Sequence, residues 1–122
     1  MDFSVSYEEG LDVVSGKIEG DLTVEIAAEY FAKVGEVASK RGCERVLTDV
    51  RNAKLMASEE AMLALSQKLN AIGMESNLRR AIVLHDDVKG YKIWENCCFR
   101  QGHTRIKLFY DQLKALDWLG SN

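Results

Sequence analysis

Ser58, His85 and Asp86 are the side-chain types of a nucleophile, its base and an orienting acid, and they are the first candidates for chemistry in this chain. Ser58 lies in no Gly-x-Ser-x-Gly elbow, and an acid directly beside the histidine in sequence is awkwardly placed to orient it. Each residue also has a structural role, since Ser58 and Asp86 suit helix caps and His85 suits a strand end. A hydrolase built on these three therefore ranks behind the readings without catalysis. Asp49, His85, Asp86 and Asp111 offer metal-ligating atoms without the spacing of a metal motif, so no metal site is expected. Gly10, Gly16 and Gly20 form no Gly-x-Gly-x-x-Gly loop, and no Gly-x-x-x-x-Gly-Lys-Ser/Thr occurs, so no nucleotide cofactor is implied. Cys43, Cys97 and Cys98 include no Cys-x-x-Cys pair and read as small apolar residues of a reduced core. The chain is expected not to be an enzyme and to carry no cofactor.

The elements that must position these residues follow from periodicity. Phe3, Val5 and Tyr7 alternate with serines, which predicts a strand with one buried face. Glu8-Glu9-Gly10 supplies a turn, with Gly10 free to take positive φ, and a second strand runs over Val13 to Glu19. The short link makes an antiparallel hairpin, which Gly20-Asp21-Leu22 ends. Thr23 caps a helix whose apolar stripe includes Ile26, Tyr30, Phe31, Val34 and Ala38, and Gly42 stops it. Arg45 to Val50 is a strand, Arg51 to Ala57 a loop, and Ser58 the cap of a helix with Met62, Leu65, Leu69 and Ile72 inward and Gly73 at its end. Ala81 to Leu84 is a continuous apolar run, as in a strand covered on both faces. Asp86 or Asp87 caps a third helix with Tyr91, Trp94, Cys97 and Cys98, which Gly102 ends, and His103 follows as a solvated loop residue. Ile106 to Phe109 is the last strand. Asp111 caps a final helix with Leu113, Leu116, Trp118 and Leu119, which either closes the core or offers a face for self-association. Trp94 and Trp118 read as core or interface residues.

The order is thus β-β-α-β-α-β-α-β-α, an α/β fold whose mixed, mostly parallel sheet is covered by four helices. Ligands of such sheets gather outside the carboxyl ends of the parallel strands. Asp49, Arg51, Asn52, Ser58, His85, Asp86 and Asp111 are expected to share that rim, where helix N-termini would suit an anion.

Composition sets the outer limits. The 122 residues, 47% hydrophobic and 29% charged, suit one folded domain spanning 1–122 rather than a disordered chain. No apolar run approaches the ~20 residues of a membrane span, and Met1-Asp2-Phe3-Ser4 lacks the features of a signal peptide. A cytoplasmic location without membrane insertion is expected. Net charge is −3 and unevenly placed, with eight acids against one base in residues 1–30 and seven bases against three acids in 79–107. Solvated faces account for that better than nucleic acid, which favours a more basic chain with aromatics among its bases. No nucleic-acid partner is expected.

Leu47-Thr48-Asp49-Val50-Arg51-Asn52-Ala53-Lys54-Leu55-Met56-Ala57-Ser58 resembles the strand, loop and helix-cap segment of STAS domains, the anti-sigma-factor antagonist fold. With the early hairpin, Gly20-Asp21-Leu22-Thr23, Ala81-Ile82-Val83 and the closing Lys107-Leu108-Phe109 and Ala115-Leu116-Asp117-Trp118-Leu119, almost the whole chain is similar to the bacterial SpoIIAA-like, STAS/SEC14-type proteins. The resemblance implies a STAS-like fold and a non-enzymatic regulatory domain that binds a protein partner. Antagonist domains of that family carry an Asp-Ser-Ser-Gly-like stretch whose serine is phosphorylated. The matching stretch is Ala57-Ser58-Glu59-Glu60-Ala61, which puts Glu59 on the acceptor, or Ser58 after a one-residue slip. Asp49, Arg51, Asn52, Ser58 and Glu59 are accordingly the expected partner-binding or regulatory residues, and His85, Asp86 and Asp111 the rim of a ligand site. The alternative is a SEC14-type domain for a small apolar or lipid-like ligand, which needs a pocket of at least a few hundred Å3. A homodimer is expected from the apolar last helix and from the resemblance.

Overall fold

The computed structural model describes residues 2–121. Two strands, β1 (Phe3–Glu8) and β2 (Val13–Leu22), form the antiparallel hairpin, with Phe3 opposite Ile18 and Glu8 opposite Val13. Its turn departs from expectation: Asp12, not Gly10, takes the positive φ of 50°. The Asp12 carboxylate accepts a hydrogen bond from the Tyr7 hydroxyl at 2.8 Å and lies 3.5 Å from Arg45. An aspartate can hold that conformation when its side chain is hydrogen-bonded locally.

Helix α1 (Val24–Arg41) begins where Thr23 Oγ1 accepts the Ile26 amide and ends at Gly42, whose φ is 61°. The strand that follows, β3 (Arg45–Leu55), is longer than its apolar core suggests. Residues 51–55 are strand rather than loop, and β2 likewise continues to Leu22. Beyond a bulge between Lys17 and Glu19, the two extensions pair in parallel, Glu19 with Asn52 and Leu22 with Leu55. Each polar segment thereby satisfies the other's backbone groups, while Leu22, Ala53 and Leu55 turn toward the core.

The helix expected over 58–72 is broken in two, α2 (Glu59–Ser66) and the short α3 (Leu69–Ile72). The Ser66 hydroxyl bonds back to the Leu63 carbonyl, a competitor to regular helical bonding. The re-aimed turn buries Leu69 completely and brings Gly73 against Gly35 of α1, so closely that a Cβ on Gly35 would collide with the Gly73 carbonyl. Then come β4 (Arg79–Val83), α4 (Val88–Arg100), β5 (Ile106–Phe109) and α5 (Gln112–Gly120). Asp87 caps α4 and Asp111 caps α5.

Strand order is sequential, β1-β2-β3-β4-β5, and only the β1–β2 pairing is antiparallel. Crossovers of one hand that step one strand at a time leave their helices on one side of the sheet. Accordingly α1, α2 and α4 share one core with Val14, Ile18, Val46, Val50 and Ile82. Helix α5 alone lies on the opposite face, where Ala115 and Leu119 cover Val13, Leu47, Ala81 and Val83. The expected cover of four helices is thus three plus a short turn on one face and one on the other. Of the apolar residues of the last helix, Leu119 closes the core and Leu113 is exposed.

His103 is another correction. It is buried, with neither ring nitrogen hydrogen-bonded among the described residues, because its amide bonds the Cys98 carbonyl at the end of α4 and turns the ring inward. All three cysteines are buried and free. Burial pushes the Cys98 thiol up to about 11, against the opposing pull of Arg80, so it stays protonated at neutral pH. Trp94 is buried and stacks on Phe31 at 5.5 Å, and Trp118 is half-buried beneath Arg79, whose guanidinium lies 4.0 Å from its ring.

Candidate functional site

The last β3–β4 pair is Asp49 with Val83, so the β2–β3 ribbon overhangs the sheet by the length of Val50 to Leu55. Along that overhang no strand pairs with the free side of β3 among the described residues. An unpaired strand edge is a row of hydrogen-bonding groups available to another chain.

Asp49 opens the overhang on the α5 side. Its carboxylate accepts from the Arg51 amide and Nε at 3.0 Å and from Arg51 Nη2 at 2.9 Å, and the same Nη2 donates to Gln112 Oε1 at 3.0 Å. Arg51 thus ties the ribbon to the start of α5. Partial burial opposes ionisation of Asp49, but the hydrogen bonds and charge of Arg51 together outweigh it and hold the carboxyl below its usual range. An ionised, fully bonded carboxylate is a positioning group and a poor proton acceptor at neutral pH.

Asp49, Arg51, Asn52 and His85 line one open recess together with Lys17, which sequence reasoning did not single out. Asp86 lines a neighbouring recess with Asp87, Ala53, Lys54, Leu55 and Tyr91, along the free edge of β3. Asp111 is committed as the cap of α5, its Oδ1 accepting the Leu113 amide at 2.8 Å. Ser58 lines neither recess; its Oγ accepts the Ala61 amide at 3.1 Å, and Glu59 is exposed in the first turn of α2. The rim residues therefore share an edge but not one cleft. Among the described residues no hydrogen bond joins Ser58, His85 and Asp86, and no cluster of three His, Cys, Asp or Glu side chains could hold a metal. What this edge adds is apolar surface. Among the described residues, four of the six exposed large hydrophobics (Met56, Val88, Tyr110 and Leu113) follow the carboxyl ends of β3, β4 and β5.

No protein-family model matches the sequence, and no curated protein matches it significantly. Solved structures do. An uncharacterized protein of the DUF3478 family from Shewanella loihica PV-4, described as having a SpoIIAA-like fold, aligns over 96% of this chain and 93% of its own, with a TM-score of 0.60 and 21% identity. The fold is SpoIIAA-like. The Bacillus cell fate determinant SpoIIAA in its phosphorylated form aligns over 94% of this chain and 96% of its own, at 17% identity and a TM-score of 0.49. At these identities the likeness is one of fold. In this sheet β3 is the central strand, and the start of α2 follows its carboxyl end.

Sequence reasoning missed one buried charged residue on the α1 side, Arg80, whereas Tyr91 is buried on α4 as its place on the helical stripe predicts. The signal for Arg80 was available, since it precedes the apolar run and shares strand parity with Ile82, which faces the α1 side.

Proposed function

We propose that this SpoIIAA-like domain is a non-enzymatic interaction module that takes a protein partner at the overhanging edge of β3. The unpaired backbone of residues 51–55 carries the reading, since it can accept an added strand. Met56 and Val88, both exposed, flank that edge and offer apolar anchors, and Arg51 and Asn52 offer polar ones. Ser58 and Glu59 set the charge at the start of α2, where a phosphate on Ser58 would add about −1.5 to −2. A homodimer through the same edge is the special case in which the partner is a second copy.

The preformed lipid site has less support, because the apolar cavity inside the domain measures about 50 Å3 rather than several hundred. The hydrolase has less still, with Ser58 held as a cap.

Immobilised wild type, a Met56→Asp/Val88→Asp variant and a Leu11→Asp control at the opposite end test the reading, with extracts of the source cells as prey. The expected result is a protein retained by wild type and the control but lost from the double variant. Sedimentation of the three separates a second copy from a foreign partner. Identical retention by all three proteins would overturn the edge as the interface.

A further inference from the structure

The outer strands of the sheet are β1 and β5, and among the described residues no strand pairs with the outer side of either. The two edges carry opposite charge. Residues 1–16 hold Asp2, Glu8, Glu9 and Asp12 with no base, and residues 97–110 hold Arg100, Arg105 and Lys107 with no acid. Neither Glu8 nor Arg105 has an ion-pair partner among the described residues, although Arg105 Nη1 donates to the Asn77 carbonyl at 2.7 Å. Arg41, the base recorded against β1, lies over the Tyr7 ring on the α1 side, away from the face of Glu8.

The backbones match as well. The Asp2 carbonyl accepts from Glu19 of β2, and the Arg105 and Phe109 carbonyls accept from Arg80 and Leu84 beside β4, so these groups point inward. Backbone groups alternate in direction along a strand, which turns those of Phe3, Val5 and Tyr7, and of Ile106 and Leu108, outward. The side chains of the same five residues pack toward the α1 side of the sheet. Strand β1 also runs opposite to the other four strands, so laid against β5 of another copy with the helices on the same side it pairs antiparallel.

We propose that β1 of one copy of this chain adds to β5 of the next, joining molecules head to tail through one continuous sheet. In the register that sets Glu8 opposite Arg105, Tyr7 meets Ile106 and Val5 meets Leu108, so outward amides exchange bonds, apolar side chains meet on one face and opposite charges on the other. Charge also selects against like pairing. Two β1 edges in full overlap set Glu8 opposite Asp2, and two β5 edges bring Arg105 and Lys107 of both copies together, contacts that like charges disfavour. Each copy keeps one acidic and one basic edge free, and the twist of the sheet turns each addition relative to the last, so the assembly is open-ended.

Sedimentation velocity of the intact protein tests this. At about 0.01 M salt the wild type should sediment faster as its concentration rises, with no plateau at a dimer. It should fall back toward monomer at about 1 M, where the Debye length drops from ~30 to ~3 Å. The Met56→Asp/Val88→Asp protein should assemble as the wild type does, which keeps this association distinct from binding at the β3 overhang. Glu8→Arg and Arg105→Glu, each alone, should weaken self-association by about five-fold, as for a cross-strand ion pair made repulsive. Their equimolar mixture should recover the wild-type strength, because every junction between the two again sets unlike charges opposite. Val5→Pro and Leu108→Pro each remove one outward amide, a change that edge strands tolerate. Each should be monomeric alone and the mixture should stop at a dimer of one of each; the charge variants decide alone if a proline variant does not fold. A wild type that plateaus at a dimer, or stays monomeric at about 1 mM in low salt, would overturn the proposal, as would a charge-variant mixture no stronger than either protein alone.

Discussion

His103 is buried just past the end of α4, within reach of the Arg80 charge. Burial first, and then the Arg80 charge, push the His103 imidazole below its usual range. The sign for stability follows. The unfolded chain takes up the proton first as pH falls, so the folded state is penalised below the ordinary histidine value of about 6.5. Stability should be level above about pH 7 and decline below it, by at most ~1.4 kcal/mol per pH unit, until the folded imidazole also protonates. Urea denaturation between about pH 8 and 5 measures this limb. A His103→Leu protein should lose most of it, and a limb of equal slope in that variant would place its origin elsewhere. Asp49 acts in the opposite direction and in a lower window. Its folded pKa is depressed, so its contribution is complete above about pH 4 and is lost only as pH falls further.

At the scale of the element, caps and stops were legible because each is a local bargain between one side chain and the first or last turn. Thr23, Ser58 and Asp111 do as caps what their types and positions suggest, and Asp87 settles the alternative with Asp86. The break between α2 and α3 was not legible, since the apolar spacing of Met62, Leu65, Leu69 and Ile72 also fits one straight helix. What decides it is the approach of Gly73 to Gly35, two residues far apart in sequence. Gly35→Ala should therefore destabilise the protein by about 1–3 kcal/mol through overpacking, although alanine is the better helix former. Chemical denaturation measures this. A neutral or stabilising result would mean that α3 can shift away from α1 at little cost.

The whole molecule is unequally insulated. One sheet face carries three helices and the larger core, and the other carries α5 alone over Val13, Leu47, Ala81 and Val83. Leu119, 1% exposed, is the main apolar contact on that side. Leu119→Ala should cost about 2–5 kcal/mol, and thermal unfolding reads it as a lowered Tm. If α5 were a dispensable appendage, the change would be within about 0.5 kcal/mol. Beyond Val13, no helix covers this side of β1 and β2 among the described residues, and Ser4, Ser6, Ser15 and Lys17 provide a polar face that tolerates water.

By itself the sequence determined the element order, the helix caps and the hydrophobic stripes, because these depend on neighbours within a few residues and on fixed backbone periods. It also sufficed for a SpoIIAA-like fold, since alternating strands and helices admit few ways to close a sheet. The tertiary structure alone decided three things. Residues 51–55 became strand because β2 was there to pair with them, and the polar composition of that segment carries no such signal. His103 was drawn inward by the end of α4, against a local pattern that reads as a solvated loop. Strand parity turns Arg80 toward the α1 side, but the absence of a carboxylate within ion-pair distance there, among the described residues, depends on what α1 and α4 place around it.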